Sequence, residues 1–328
     1  MRLAAKCGRV TEPDFIARLR AIALHPAARG LMDDAAVLDI GGQALVLTHD
    51  MLVAGVHFLS DDPAASVAWK LVAVNMSDLA AMGAVPLGVL MGAGLARGDD
   101  WNAAFVDGLD EALRHFGAPL LGGDTVAMPA GGPVTLGLTA IGLAPPGGAP
   151  SRTGAQAGDD VWVTGTIGDA GLGLLMRQGK LGGGLGSLAH AYSHPQPNLA
   201  LGHDLAPLVS AMTDVSDGLL IDAQRIAAAS GLAITLAMDA VPLSDAWRMV
   251  RGDEVEDRLA AATMGDDYQL LFAASPGRAK AVAAAALRHG AVVTRVGTCA
   301  AGHGLGLTHA GVTVRLPPRL GYLHSDSA

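Results

Sequence analysis

Asp78 lies in the stretch NMSDLAAMG, residues 75–83, and is its only charged residue. Read as a helix, this part of the chain carries Val67, Leu71, Val74 and Asp78 at spacings of four, three and four. The carboxylate therefore falls where the core stripe should continue, with Asn75 beside it. A buried carboxylate has to be paired, hydrogen-bonded or placed on a metal. The nearest cation in sequence is Lys70, two turns back. Other carboxylates share a type of position. Asp33 and Asp34 precede a predicted strand, Asp50, Asp124 and Asp214 end strands, and Asp217 opens a helix. Ends of elements are where rigid scaffolds hold functional groups. One such Asp is usually a turn former or a cap, but several together in a chain with few other charges point to shared chemistry.

Hard oxygen donors in this number suit Mg2+, which binds through carboxylates together with substrate phosphates. Zinc is not indicated, because HExxH is absent and Cys7 and Cys299 have no metal-ligand spacing. No GxxxxGK[ST] loop and no GxSxG elbow occur. The sequence GKLGGGLG, residues 179–186, reads as a flexible loop. TGTIGDAGLGL follows a predicted strand and opens a helix, so its backbone N–H groups could meet an anion.

The elements that must position these residues can be read in order. Thr11, Pro13 and Asp14 start a helix with Phe15, Leu19 and Ile22 on one face. A short strand follows the Asp33–Asp34 pair. Ala44–Thr48 is a strand ending at His49–Asp50, and Met51–Asp62 is a loop containing His57. Pro63, after Asp62 as cap, opens the helix that carries Asp78. Leu87–Leu95 is a strand, and Asp99 or Asp100 caps a helix to about Phe116. Pro119–Leu121 is a short strand ending at the GGDT of residues 122–125, and Val134–Leu143 is another.

Ala144–Pro150, APPGGAP, is the best linker. It divides the chain into residues 1–146 and 147–328. Beyond it, Asp160–Thr164 is a strand, Asn198–Ser210 a helix, and Met212–Thr213 a strand ending at Asp214. Asp217–Ser230 is a helix closed by Gly231. Strands at Leu232–Ala237, Tyr268–Ala274 and Val292–Val296, a helix at Pro276–His289 and a short glycine-rich tail complete the chain. This order suits two α+β domains rather than a doubly wound sheet.

Composition narrows the function classes. The 328 residues are 51% hydrophobic and 16% charged, with a net charge of −9. That argues against disorder and against a general nucleic-acid or anionic-membrane binder. A phosphate-bearing substrate would need bound cations to reverse the local field. The uncharged run Leu79–Ala96 spans 18 residues, but Pro86 and four glycines break it, so it is not a membrane span. The first residues hold no apolar core of signal-peptide length, which suits a cytoplasmic protein.

The succession DDAAVL, THDMLVAGVHF, NMSDLAAMGA, LLGGDT, SRTGAQAGD, VTGTIGD, DVSDGL and MGDDYQLLF resembles thiamine-monophosphate kinase. The resemblance covers about residues 30 to 322, in the family's order. That family shares its superfamily with aminoimidazole ribonucleotide synthetase, selenophosphate synthetase and the hydrogenase maturation factor HypE. The implied fold is the two-domain α+β PurM/ThiL-like architecture. Its N-terminal mixed-sheet domain pairs in a homodimer, and a C-terminal α+β domain completes the substrate and nucleotide site. The implied reaction is direct in-line, Mg2+-dependent transfer of the γ-phosphoryl of ATP to thiamine monophosphate, the last step in making the thiamine diphosphate cofactor. Several Mg2+ ions are implied.

Carried over position by position, the resemblance makes Asp33, Asp34, Thr48, His49, Asp50, Asp78, Asp124, Asp214 and Asp217 metal-site candidates, with Asp78, Asp124 and Asp217 assigned to catalysis. Gly122, Gly123, Arg152 and Ser216 fall at ATP contacts. His57, Asp266 and Tyr322 fall at or near thiamine contacts. The chain departs from the family at several positions. Met32 replaces a Gly, His49 a Thr, and Asp266 a Glu. SHPQPN replaces a loop with arginines around two prolines, and Arg319 stands where an aromatic often packs on thiamine. Two alternatives compete: another ATP-using member of the superfamily, or a non-catalytic nucleotide-binding relative. Cys7 lacks the glycine-rich setting of the selenophosphate enzymes, and the terminal HSDSA lacks the cysteine of HypE.

Overall fold

A computed structural model describes residues 12–182 and 186–323. Thr11, Cys7, residues 183–185 of the glycine-rich loop and the terminal HSDSA lie outside the described residues. The first part of the chain holds α1 (Glu12–Arg20), β1 (Ala36–Ile40), β2 (Gln43–Val53), α2 (Ala64–Ala81), β3 (Val85–Leu95), α3 (Asp99–Phe116), β4 (Leu120–Ala127) and β5 (Thr135–Leu143). Its five strands form one sheet in the order β1-β2-β5-β3-β4. All neighbours are antiparallel except the pair β3 and β4.

The second part holds β6 (Asp160–Thr164), α4 (Asp169–Arg177), α5 (Gly186–Ser193), α6 (Leu199–Leu205), β7 (Ala211–Val215), α7 (Leu219–Ser230), β8 (Ala233–Ala237), α8 (Asp245–Val250), α9 (Val255–Thr263), β9 (Gln269–Ala274), α10 (Ala279–Arg288), β10 (Val293–Ala300), β11 (Gly304–His309) and β12 (Val312–Val314). These strands form a seven-stranded sheet ordered β12-β11-β8-β10-β6-β9-β7. Only β8 and β11 run parallel. The chain leaves the first sheet at Leu143 and enters the second at Asp160. The mixed, mostly antiparallel sheets are those of two α+β domains.

The helix α2 is the centre of the molecule. It packs on β2, β5 and α3, and also reaches α6 and β7 of the second domain. The predicted stripe of Val67, Leu71 and Val74 is buried, but so are Lys70, Asn75, Ser77, Met76, Leu79 and Met82. A helix clasped by two domains has no solvent face, so a single apolar stripe understates its burial. Gly108 of α3 lets the two helices touch, since a Cβ there would lie 2.4 Å from the Cα of Ala65. The end of α2 is closed by Gly83 at φ 63°, with Gly83 N–H donating to Ala80 O and Ala84 N–H to Leu79 O. Ala80 and Ala81 belong to the apolar cluster of the second domain, with Leu201, Leu205, Met212 and Phe272.

Several expected boundaries move. β2 continues to Val53, because Leu45–Val53 pairs with Thr135–Leu143 without a break. His49 and Asp50 are therefore inside a strand rather than at its end. β4 likewise runs through Asp124 to Ala127, in register with β3. Pro63, not Asp62, occupies the cap position of α2. The Asp62 carboxylate instead accepts bonds from Leu59 N–H at 2.8 Å, Tyr192 Oη at 2.7 Å and Arg177 at 3.0 Å. Asn198 does cap α6, accepting from Leu201 N–H at 2.9 Å, but the helix stops at Leu205, just before Pro207. The glycine-rich tail contains the β11–β12 hairpin. The first helix ends at Arg20, so Ile22, expected on its face, lies in the turn beyond it; Phe15 and Ile22 are 57% and 74% exposed.

Candidate active site

Three carboxylates from separate parts of the chain converge. Asp34, Asp78 and Asp214 each offer an oxygen within 4.8 Å of the others. Asp34 lies just before β1, Asp78 in the last turn of α2, and Asp214 on β7 of the second domain. A carboxylate in the last turn also faces the negative end of its own helix, so the position stabilises a cation rather than the bare anion. Each is held by hydroxyls. Thr48 Oγ1 donates to Asp78 Oδ2, Ser77 Oγ donates to Asp214 Oδ2 at 2.7 Å, and Thr213 Oγ1 donates to Asp34 Oδ1 at 2.9 Å. Asp34 Oδ2 is buried and has no protein partner. Arg152, in the segment linking the sheets, is ion-paired with Asp34.

The electrostatics follow from this crowding. Burial pushes the Asp78 carboxyl well above the ordinary range, and the charges of Asp50, Asp214 and Asp34 push the same way. Asp214 is raised by burial and then by Asp34 and Asp222. Asp34 is raised by burial, partly offset by Arg152. Asp50 is raised to about 6, by burial first and then, against a lowering by His49, by Asp34 and Asp217. Burial opposes the charge on Arg152, but Asp34, Asp222 and Asp214 outweigh it. The site is thus an excess of buried carboxylate with one arginine, a donor set of hard oxygens with an orphaned lone pair. Such a donor set fits a hard divalent cation such as Mg2+.

The remaining candidates divide. Strand alternation decides for β2: Thr48 and Asp50 share one face, and His49 points to the other. Asn75 Oδ1 accepts from Asp50 N–H at 3.1 Å, locking β2 to α2. His49 Nδ1 instead pairs with Thr139 Oγ1 at 2.8 Å on the open face of the sheet. His49 is therefore corrected as a ligand of this cluster. Asp124 does not join this cluster within one chain either. It pairs across the sheet with Gly92, Gly137 and Met51 in the row next to His49's outward row. That is the face away from α2, on the edge strand, separated from β2 by β5 and β3. Gly122 and Gly123 lie on the same edge strand, apart from Arg152 and Ser216. Asp33 is outside the cluster as well, accepting from Ser151 Oγ at 2.7 Å, Arg152 N–H at 2.8 Å and Arg29 at 2.9 Å. It fastens the inter-sheet segment.

Asp217 flanks the cluster on the loop before α7, ion-paired to Arg225 at 2.6 Å. Behind it stands Asp222, fully buried, which accepts from Asp217 N–H and Gly218 N–H, both at 3.2 Å, and pairs with Arg225. The sequence reading missed Asp222, Arg225 and Ser77; an Asp in the first turn of α7 with an Arg three residues on was the available sign. The loop around Ser216 is covered by two segments. Asp266 N–H donates to Ser216 O at 2.8 Å, and Tyr322 N–H to Asp217 O at 2.9 Å. Gly265 permits the first approach, since a Cβ there would lie 2.4 Å from Ser216 O. Lys70 joins Asp266 and His57, with Nζ 2.7 Å from Asp266 Oδ2 and 3.1 Å from His57 O. Ser216, His57, Asp266 and Tyr322 are thereby gathered around the loop that carries Asp217.

The two α+β domains that frame this acidic site are those of the AIR synthase-related class. Residues 32–144 match the model of the AIR synthase related protein N-terminal domain, and residues 156–310 that of its C-terminal domain. The chain is 40% identical over 326 residues to the thiamine-monophosphate kinase of Caulobacter vibrioides, covering 96% of this chain and 91% of that one. The crystal structure of thiamine-monophosphate kinase from Stenotrophomonas maltophilia superposes with a TM-score of 0.76 at 38% identity, covering 92% of this chain and 96% of that one. A structure of AaThiL complexed with AMPPCP and TMP gives a TM-score of 0.82 at 26% identity, over 98% and 100% of the two chains. The chain belongs to the thiamine-monophosphate kinase family.

Proposed function

We propose that the chain phosphorylates thiamine monophosphate with ATP, yielding thiamine diphosphate and ADP. A terminal oxygen of the substrate phosphate attacks the γ-phosphorus, and the bond from that phosphorus to the bridging oxygen of ADP breaks. The supporting observation is the convergence of Asp34, Asp78 and Asp214 from both domains in a chain so similar to kinases of this name. Two phosphate groups repel each other, and phosphoryl transfer is served by positioning and by charge neutralisation rather than by covalent catalysis. Asp34, Asp50, Asp78 and Asp214, with Asp217 beside them, would hold Mg2+, and bound Mg2+ supplies the positive charge that a protein of net charge −9 lacks. Arg152 and Ser216 serve the nucleotide, and His57, Asp266 and Tyr322 the thiamine end. Purified protein given ATP, Mg2+ and thiamine monophosphate is expected to form thiamine diphosphate. No product, with nucleotide binding intact, would support a non-catalytic relative instead.

The homodimer belongs to the same proposal. The sheet face opposite α2 carries the row His49, Thr139, Leu90 and Gly122. Met51 and Leu90 on it are 49% and 42% exposed, and Leu121 and Val126 of β4 are exposed beside them. A second copy is proposed to cover this face and to bring Gly122, Gly123 and Asp124 to the nucleotide where the copies meet. Leu90→Asp is expected to halve the mass measured by light scattering. A wild-type chain that runs at its own 33.1 kDa would exclude the dimer. Among the described residues no helix is long and apolar enough to cross a membrane. ATP as co-substrate and the absence of a cysteine framework suit the cytoplasm.

A further inference from the structure

Lys70 is a buried cation that no step of the proposed reaction uses. Its side chain is 3% exposed. Such an ammonium has to be paired and hydrogen-bonded to be tolerated. Its partners come from three separate segments. Nζ donates to Asp266 Oδ2 at 2.7 Å, in the loop before β9, and to the carbonyl of His57 at 3.1 Å, in the loop after β2. It also sits 4.4 Å from the ring centroid of Tyr192 on α5. Tyr192 is itself fixed, because its hydroxyl donates to Asp62 at 2.7 Å and Asp62 is ion-paired with Arg177 at 3.0 Å. The chain Arg177–Asp62–Tyr192–Lys70–Asp266 thus crosses between the two domains at each of its four links, ending at Asp266.

Asp266 stands in an unusual conformation. Its φ is 69° and that of Tyr268 is 50°, both in the left-handed region that non-glycine residues seldom adopt. Such a conformation persists only where the surroundings over-determine it. Two backbone bonds do so, Asp266 N–H to Ser216 O and Tyr268 N–H to Val215 O, each 2.8 Å. The carboxylate is then held at both oxygens, by Lys70 at Oδ2 and by Tyr268 Oη at Oδ1, 2.9 Å away. Its side chain remains 31% exposed. The carboxylate can therefore meet a ligand, and the ammonium behind it cannot.

We propose that Lys70 is a positioning residue for the thiamine end of the substrate: it holds the Asp266 carboxylate and the His57 loop in the geometry that receives the ring system. The proposal rests on the kinase reading above. It deepens that reading by assigning substrate specificity to a residue that does not touch substrate.

The test compares wild type, Lys70→Met, Asp266→Asn and the double variant. It measures the melting temperature, the Mg2+-dependent thermal shift, and separate KM values for thiamine monophosphate and ATP. Calorimetric binding of thiamine monophosphate gives a readout besides activity. Lys70→Met keeps the stem and removes the charge, and is expected to raise KM for thiamine monophosphate by about tenfold or more. KM for ATP should stay within about twofold, and the Mg2+ shift should be retained. In the double variant the rise should not exceed that of Asp266→Asn alone, since the two residues act as one unit. Lys70→Gln, which keeps a donor for the His57 carbonyl, gives the same comparison if Lys70→Met does not fold. A folded Lys70 variant with the wild-type KM for thiamine monophosphate, or effects that simply add, overturns the proposal while leaving the kinase reading intact. A wild-type protein that makes no thiamine diphosphate overturns both.

Discussion

Asp78→Asn is expected to lower thiamine diphosphate formation by about a thousandfold or more, while the metal-free protein melts at a higher temperature than wild type. The two effects have one cause. Asp78 is surrounded by Asp50, Asp214 and Asp34, and burial strengthens their repulsion. Every pK unit by which the fold raises a carboxyl costs the ionised folded state about 1.4 kcal/mol. An amide removes that cost, keeps the shape, and can still accept from Thr48 Oγ1, the present partner of Asp78 Oδ2. What it removes is the anionic oxygen that a Mg2+ site requires. Activity follows from a product assay, and stability from melting curves without divalent cations. Near-normal turnover would take Asp78 out of the metal site, and a lower melting temperature would contradict the repulsion argument.

The second large effect is a stabilisation by Mg2+ and nucleotide that grows with pH. Asp50 is raised from 3.8 to about 6, and burial and neighbouring carboxylates push Asp78 and Asp214 in the same direction. For carboxyls raised in the folded state, the native protein binds more protons than the unfolded chain across that interval. Metal-free stability therefore falls as pH rises from about 4 through 6 and beyond, opposite to a salt-bridged carboxylate whose pKa is depressed. Divalent cations bind the deprotonated cluster, so they should restore at about pH 8 what ionisation took away and do little near pH 5. Melting temperatures with and without Mg2+ and ATP at the two pH values test this. An identical shift at both, or none at either, would sink the metal-cluster reading.

The balance between sequence and structure is clearest on β2. The residues THD at 48–50 were legible as a functional cluster, and the motif order around them was legible as a family. Their division between two faces of a strand was not. A strand expected to end at Thr48 places His49 and Asp50 together in a loop, where both could serve one metal. The pairing of β2 with β5 extends the strand to Val53, and alternation then sends His49 to the open face and keeps Thr48 and Asp50 beside α2. Asp124 follows the same logic on β4, three strands away.

By itself the sequence determined the helix that carries Asp78 and the closure of α7 at Gly231. These rest on local matters: periodicity, proline and glycine placement, and caps within a few residues. It also determined that carboxylates outnumber cations at the ends of elements. The tertiary structure alone decided which carboxylates meet. Asp34, Asp78 and Asp214 are far apart in the chain, and their meeting depends on strand order and register that no local pattern encodes. The same holds for Lys70. In sequence it was a lone charge two turns before Asp78; in the fold it is the buried partner of Asp266, 196 positions away, because α2 is enclosed by both domains.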